Sequence, residues 1–185
     1  MYMPINNISY GSIEIEVEFS NNSTINQIQE YLRKNNLAEK VTNNLHITLL
    51  YGLLPSITKE DVMANLNRCK FYLEKYVSCN QFEVFETDIS DVLVLKVNSE
   101  CVDNLRQWND QLKLLPYKND YPDYKPHITL AYLTKGAGKE IAHYLNSNFI
   151  NNDITTFYQG LMCELDLSKM YYYSADDIKH KILFS

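Results

Sequence analysis

His46-Ile47-Thr48-Leu49 and His127-Ile128-Thr129-Leu130 are the same four residues in the same order, met twice in a chain of 185. Each copy opens or lies within an apolar run that reads as a strand, residues 45–51 and 127–133, and each run carries a tyrosine, Tyr51 and Tyr132. Side chains along a strand alternate between its two faces. Each His therefore shares a face with its own Thr, while Ile47, Leu49, Ile128 and Leu130 point the other way, into a core. Two imidazoles and two hydroxyls are offered to a common surface.

The elements around the two copies repeat as well. Residues 12–19 alternate strictly, with Ile13, Ile15, Val17 and Phe19 on one face and Glu14, Glu16 and Glu18 on the other, which predicts a half-buried strand. Residues 20–36 follow with Ile25, Ile28 and Leu32 at helical spacing. After the first motif, Pro55 breaks the strand and residues 58–76 read as a helix opening on Thr58-Lys59-Glu60-Asp61. Residues 82–86 and 92–97 read as a hairpin. The order then recurs: a helix over 99–115 through Val102, Leu105, Trp108 and Leu112, the second motif, a turn at Gly136 and Gly138, and a short helix over 139–146. Strands are expected over 157–164, 167–173 and 178–184. Strand, helix, strand, helix, twice over, with hairpins between, predicts an α+β fold with an internal duplication. The whole chain, 1–185, is expected to form one domain in which the two lobes share residues.

The paired motif suggests its own chemistry. Imidazole is the side chain best suited to take or give a proton near neutral pH, and two of them can act as base and acid in one reaction. Hydroxyls of Thr48 and Thr129 can donate to the non-bridging oxygens of a phosphate. A phosphodiester set between the strands would meet a base, an acid and two donors. Neither His has a second ligand at metal spacing, so no metal or other cofactor is expected.

Composition narrows the substrate. The formal net charge is -6, from 17 basic and 23 acidic residues. This argues against a protein that coats long nucleic acid, whose binding requires neutralising many phosphates. A small anion in a locally basic cleft remains open. No apolar run approaches the roughly 20 residues needed to cross a bilayer, so no membrane partner is expected. Cys69, Cys79, Cys101 and Cys163 form no CxxC pair and are read as reduced thiols of a cytoplasmic protein.

Lys125-Pro126-His127-Ile128-Thr129-Leu130, with its partner at His46, resembles the 2H phosphoesterases, a family with two His-x-Thr/Ser motifs. The resemblance implies a bilobal pseudo-twofold α+β fold in which two antiparallel sheets flank a central cleft and helices lie outside. It implies metal-independent phosphodiester cleavage with His46, Thr48, His127 and Thr129 as the catalytic tetrad. The run Tyr121-Pro-Asp-Tyr124-Lys125-Pro-His127-Ile-Thr129-Leu is similar to the phage anti-CBASS branch of that family. That branch implies hydrolysis of cyclic di- and trinucleotide messengers of antiviral signalling, in the host cytoplasm, as an evasion of host immunity.

Residues 116–125 supply the remaining substrate-binding candidates. Tyr117, Tyr121, Tyr124 and Lys125 bring rings that can stack on bases and a cation for phosphate. Lysines 113, 118, 125, 135 and 139 form a basic island there. Tyr10, Tyr51, Tyr132 and Glu164 are further candidates, Glu164 as a partner for a histidine or an adenine amine. The Glu14, Glu16 and Glu18 face is read as solvated. Two other functions stand beside the leading one: cleavage of 2′,5′-oligoadenylate or of RNA 2′,3′-cyclic ends, and a nucleotide-binding sponge without turnover. Which His is the acid and which the base is not decided by two nearly identical motifs.

Overall fold

A computed structural model of the chain describes residues 9–20, 22–68, 72–150 and 161–184. Alternation sets the first strand, β1 (Gly11–Phe19), whose Ile13, Ile15, Val17 and Phe19 are buried while Glu14 and Glu16 are half-buried and Glu18 is exposed. Helix α1 (Asn22–Lys34) turns Ile25, Ile28 and Leu32 inward. Strands β2 (Ala38–Val41) and β3 (His46–Leu53) follow. In α2 (Lys59–Leu66) the Thr58 hydroxyl accepts from the Asp61 N–H and the Asp61 carboxylate accepts from the Thr58 N–H, a reciprocal cap. Next come the hairpin β4 (Tyr76–Glu86) and β5 (Asp91–Val97), then α3 (Ser99–Leu112), β6 (His127–Leu133) and α4 (Gly138–Leu145). Asn146–Ile150 forms a π-helical turn, and β7 (Met162–Tyr173) and β8 (Lys179–Lys181) finish the described chain.

Three expectations need correction. The helix predicted over 58–76 stops at Leu66, and Tyr76 begins a strand. Tyr76, Val77 and Ser78 pair with Glu164, Cys163 and Met162 of β7, a long-range gain that local helical spacing cannot reveal. β2 was not foreseen, because its four residues owe their strand form to β6 alone. Residues 162–173 form one strand instead of two. The interruption near Asp166 survives as a bulge, where the register against β1 jumps from Leu165 to Met170. The start of the strand expected at 157 and the thiol of Cys69 lie outside the described residues. Cys79, Cys101 and Cys163 are free.

The order of elements repeats, and the two runs are interlocked. β1-α1-β3-α2-β4 corresponds to β5-α3-β6-α4-β7. In each half the first strand pairs antiparallel with the motif strand, β1 with β3 and β5 with β6. The last strand of each half crosses over: β4 pairs with β5 and β7 with β1. Hydrogen bonding is therefore continuous, an eight-stranded sheet of order β1-β3-β6-β5-β4-β7-β8 that returns from β7 to β1, with β2 on β6. The two expected antiparallel sheets are the two halves of this one surface. They meet in the middle at a single residue pair between β3 and β6.

Ile47, Leu49, Ile128 and Leu130 are fully buried beneath that junction. Each contributes about 1.5–3 kcal/mol by leaving water. Trp108, Leu105 and Leu112 of α3 pack in the same core, and Asn109 donates from α3 to the Leu49 carbonyl at 2.6 Å, which holds the helix against the first motif strand.

Candidate active site

Across β3 and β6, Ile47 faces Ile128. In an antiparallel pair that register runs on to His46 opposite Thr129 and Thr48 opposite His127. The burial pattern along both motifs is identical: His and Thr half-open, the intervening Ile and following Leu closed. All four polar side chains thus stand on the solvent side of the junction, each histidine beside the other motif's threonine.

Both rings are held in the same way. His46 Nδ1 lies 3.1 Å from the Asn44 carbonyl, and His127 Nδ1 lies 2.7 Å from the Lys125 carbonyl. A carbonyl only accepts, so in each bond Nδ1 carries the hydrogen, and in the neutral ring Nε2 keeps its lone pair. The residue two places before each His supplies the carbonyl, so the repeat extends beyond the side chains.

The surroundings differ. At His46, Glu14 Oε2 lies 3.5 Å from Nε2, with side chains 28% and 18% exposed. Ser12 Oγ donates to the other Glu14 oxygen at 2.8 Å. At His127 the ring meets Phe85 edge to face, with centroids 4.7 Å apart. Burial pushes the His127 imidazole below its ordinary pKa of 6.5, and the charge on His46 pushes the same way; the Lys125 carbonyl and Glu83 oppose it.

A cavity opens on each side of the junction. One, about 1010 Å³, holds His46 and Thr129 together with Tyr10, Glu14, Lys40, Tyr51, Tyr132 and Tyr173. The other, about 470 Å³, holds His127 with Phe85, Lys96, Arg106, Tyr124 and Lys125. Of the residues singled out from sequence, Tyr10, Tyr51 and Tyr132 line the first, and Tyr124 and Lys125 the second. Tyr124 donates to the Thr48 carbonyl at 3.2 Å, and burial raises its phenol pKa, so it stays protonated. Tyr121 is exposed and meets the Tyr51 ring edge to face. Tyr117 lies in neither cavity: it packs on the core and bridges to Leu53. Glu164 is likewise away from the site, on β7 against Lys75 at 3.5 Å. Its position at the end of an expected strand gives no clue to which strands that one joins.

The basic island is largely neutralised. Lys113, Lys118, Lys135 and Lys139 pair with Asp110, Asp120, Asp91 and Glu86. Among the described residues Lys125 has no carboxylate partner within ion-pair distance, and it is the member that reaches a cavity. The acidic face is neutralised too: Glu16 meets Lys179 at 2.5 Å and Glu18 meets Lys169 at 2.6 Å, while Glu14 turns to His46. Glu14, Lys40, Phe85 and Lys96 were missed as site residues. Nothing in their local spacing marks them; their place follows from pairing β1 with β3 for Glu14, β5 with β6 for Lys96, β2 with β6 for Lys40 and β4 with β5 for Phe85. Among the described residues no group of three or more His, Cys, Asp or Glu could hold a metal ion, and no helix is long and apolar enough to cross a membrane.

The loop before the second motif is tied to the first motif's strand. Lys118 N–H donates to the Gly52 carbonyl at 2.8 Å, and Leu54 N–H to the Pro116 carbonyl at 3.1 Å. Gly52 has φ +98°, and a Cβ there would fall 2.4 Å from the Lys118 oxygen, so only glycine admits this approach.

Two His-x-Thr motifs facing each other across a pseudo-twofold junction define a 2H phosphoesterase, and the protein is a phosphodiesterase that acts on nucleotides. Residues 12–158 match the family described as "Anti-CBASS protein Acb1", and the chain belongs to that family. The fold is similar to Kluyveromyces marxianus Usb1, at 9% identity and a TM-score of 0.63, covering 94% of this chain and 98% of that one. It is also similar to the same yeast protein solved with uridine monophosphate, at 10% identity and a TM-score of 0.59, covering 95% and 99%. Escherichia coli LigT is a weaker match, at 18% identity and a TM-score of 0.44, covering 70% and 74%. No curated protein matches the sequence significantly.

Proposed function

We propose that this protein opens the 3′,5′ bonds of cyclic di- or trinucleotides, and that it does so to disarm an antiviral signalling system of the infected host, within the host cytoplasm. The observation that carries the reading is the pair of cavities, one on each side of the tetrad, each furnished with an aromatic ring and a lysine free of ion pairs among the described residues: Lys40 and Tyr132 on one side, Lys125 and Phe85 on the other. A cyclic oligonucleotide with one phosphate at the junction must send nucleosides both ways. Volumes of about 470 and 1010 Å³ lie in the range of small-ligand sites. The formal net charge of -6 disfavours a long polyanion. Because each half lends its last strand to the other, residues 1–185 act as one bilobal unit in this reading.

The substrate's own 2′-hydroxyl attacks the phosphorus, one histidine taking its proton and the other protonating the departing 5′-oxygen. Thr48 and Thr129 donate to the non-bridging oxygens as their charge grows. A 2′,3′-cyclic phosphate forms first and water then opens it. No cofactor enters this scheme. The test is a panel of cyclic di- and trinucleotides, linear 2′,5′-oligoadenylate and 2′,3′-cyclic nucleotides, with EDTA present and products followed by mass. Opening of the cyclic members, lost by about 10³-fold or more in His46→Ala and His127→Ala, is expected. Consumption of only 2′,5′ linkages or terminal cyclic phosphates would replace the substrate assignment. Binding without turnover would make the protein a sponge.

A further inference from the structure

The pseudo-twofold makes the two histidines topological equals, so whatever separates their roles must come from residues that break the symmetry. The strands beside the motifs can be superimposed by register. On β1, Glu14, Ile15 and Glu16 face Thr48, Ile47 and His46; on β5, Val94, Leu95 and Lys96 face Thr129, Ile128 and His127. The middle position is apolar in both. The flanking positions are two carboxylates in one half and an aliphatic group with an ammonium in the other.

We propose that Glu14 divides the roles: it positions His46 as the general acid that protonates the leaving oxygen, and its lack of a counterpart at Val94 leaves His127 as the general base. This rests on the 2′-hydroxyl mechanism above. The geometry argues it through donors and acceptors. With Nδ1–H held by the Asn44 carbonyl, a neutral His46 would turn the lone pair of Nε2 toward Glu14 Oε2 at 3.5 Å, acceptor against acceptor. With a second proton on the ring the same contact is an ion pair. Ser12 fixes the other carboxylate oxygen, and Glu16 is already engaged by Lys179, so Glu14 is the carboxylate left for the ring. Around His127 the counterparts are the Phe85 ring, Lys96 and Glu83, and these last two satisfy each other at 2.9 Å. Burial there favours the neutral ring, whose Nε2 lone pair is free to accept a proton.

The proton count closes over two steps. The 2′-hydroxyl proton passes to His127 Nε2 as the 2′-oxygen bonds to phosphorus. The bond from phosphorus to the 5′-oxygen breaks, and that oxygen takes the proton from His46 Nε2. In the second step neutral His46 takes a proton from water, whose oxygen bonds to phosphorus, and His127 returns a proton to the departing 2′-oxygen. Both rings end as they began.

The experiment replaces the bridging 5′-oxygen by sulfur, which leaves as a thiolate and needs no acid, in a cyclic dinucleotide and in a linear ribodinucleotide. His46→Ala is expected to lose about 10³-fold on the oxygen esters and to recover to within about tenfold of wild type on the sulfur esters. His127→Ala is expected to fail on both. Glu14→Gln is expected to slow the oxygen esters by about 10-fold or more and the sulfur esters by less than about threefold, a split that a merely structural residue would not produce. Rescue of His127→Ala by sulfur, or equal slowing of both esters in Glu14→Gln, overturns the assignment. If wild type cuts only the linear pair, the cyclic substrate reading fails while the acid and base are still read from that pair.

Discussion

The halves of this molecule differ least at the paired motifs and most one strand away. His-Ile-Thr-Leu is repeated without change, each ring is pinned by the carbonyl two residues earlier, and each motif strand has the same burial pattern. The neighbours are another matter: a carboxylate and an open cavity of about 1010 Å³ beside His46, an aromatic ring and a tighter cavity of about 470 Å³ beside His127. In the proposed mechanism duplication supplies two proton-transfer groups, and divergence of the flanking strands makes them unequal. An enzyme that needs an acid and a base from identical side chains must differentiate them by surroundings.

The threonines are the sharpest way to break the equivalence. Thr48→Val and Thr129→Val are each expected to lower kcat by about 10²-fold, since each removes a donor to the phosphate. Equal losses would say that the phosphate sits on the pseudo-twofold. A tenfold difference would place it toward one half, read from single-turnover rates.

The link between the halves is the next target. Gly52→Ala puts a Cβ against the Lys118 carbonyl at a positive φ and should destabilise the fold by about 2 kcal/mol, measured by urea denaturation. Activity should fall with the loop's displacement, because Tyr124 and Lys125, carried by that loop, hold the Thr48 carbonyl and the His127 ring.

The smallest effect tests the His127 side alone. With that ring's pKa held below 6.5, the base stays neutral to a lower pH than an ordinary histidine, and the rate is lost only as pH falls through the depressed value. Phe85→Ala opens the ring to water, so the acid limb of kcat/KM should move up toward pH 6.5 by a few tenths of a unit. An unmoved limb would remove Phe85 from that role.

Much of the site was legible because strand alternation is a local rule. It placed His46 with Thr48 and His127 with Thr129, and it turned Ile47, Leu49, Ile128 and Leu130 inward, without reference to any partner. Trp108 is in the core for the same kind of reason: its helical spacing puts it on one face with Leu105 and Leu112. The failures share a different cause. Tyr117 stands in the loop before the second motif and Glu164 in an expected strand well after it; both are chemically suitable, and neither lines either cavity. Glu14 belongs by alternation to a solvated face, yet it meets His46. Tyr76 ends a run of helical spacing, though its partner lies on β7. Each of these depends on which strand lies beside which.

The sequence alone therefore determined the duplication, the four polar groups and the face they occupy, because repeat and periodicity are properties of the chain. The crossing of β4 and β7 into opposite halves, the register that sets His46 beside Thr129, and the placing of Glu14 against one histidine and Phe85 against the other were decided only by the tertiary structure. Pairing is a contest among strands far apart in the chain, and a residue's neighbours across a sheet are fixed by its outcome.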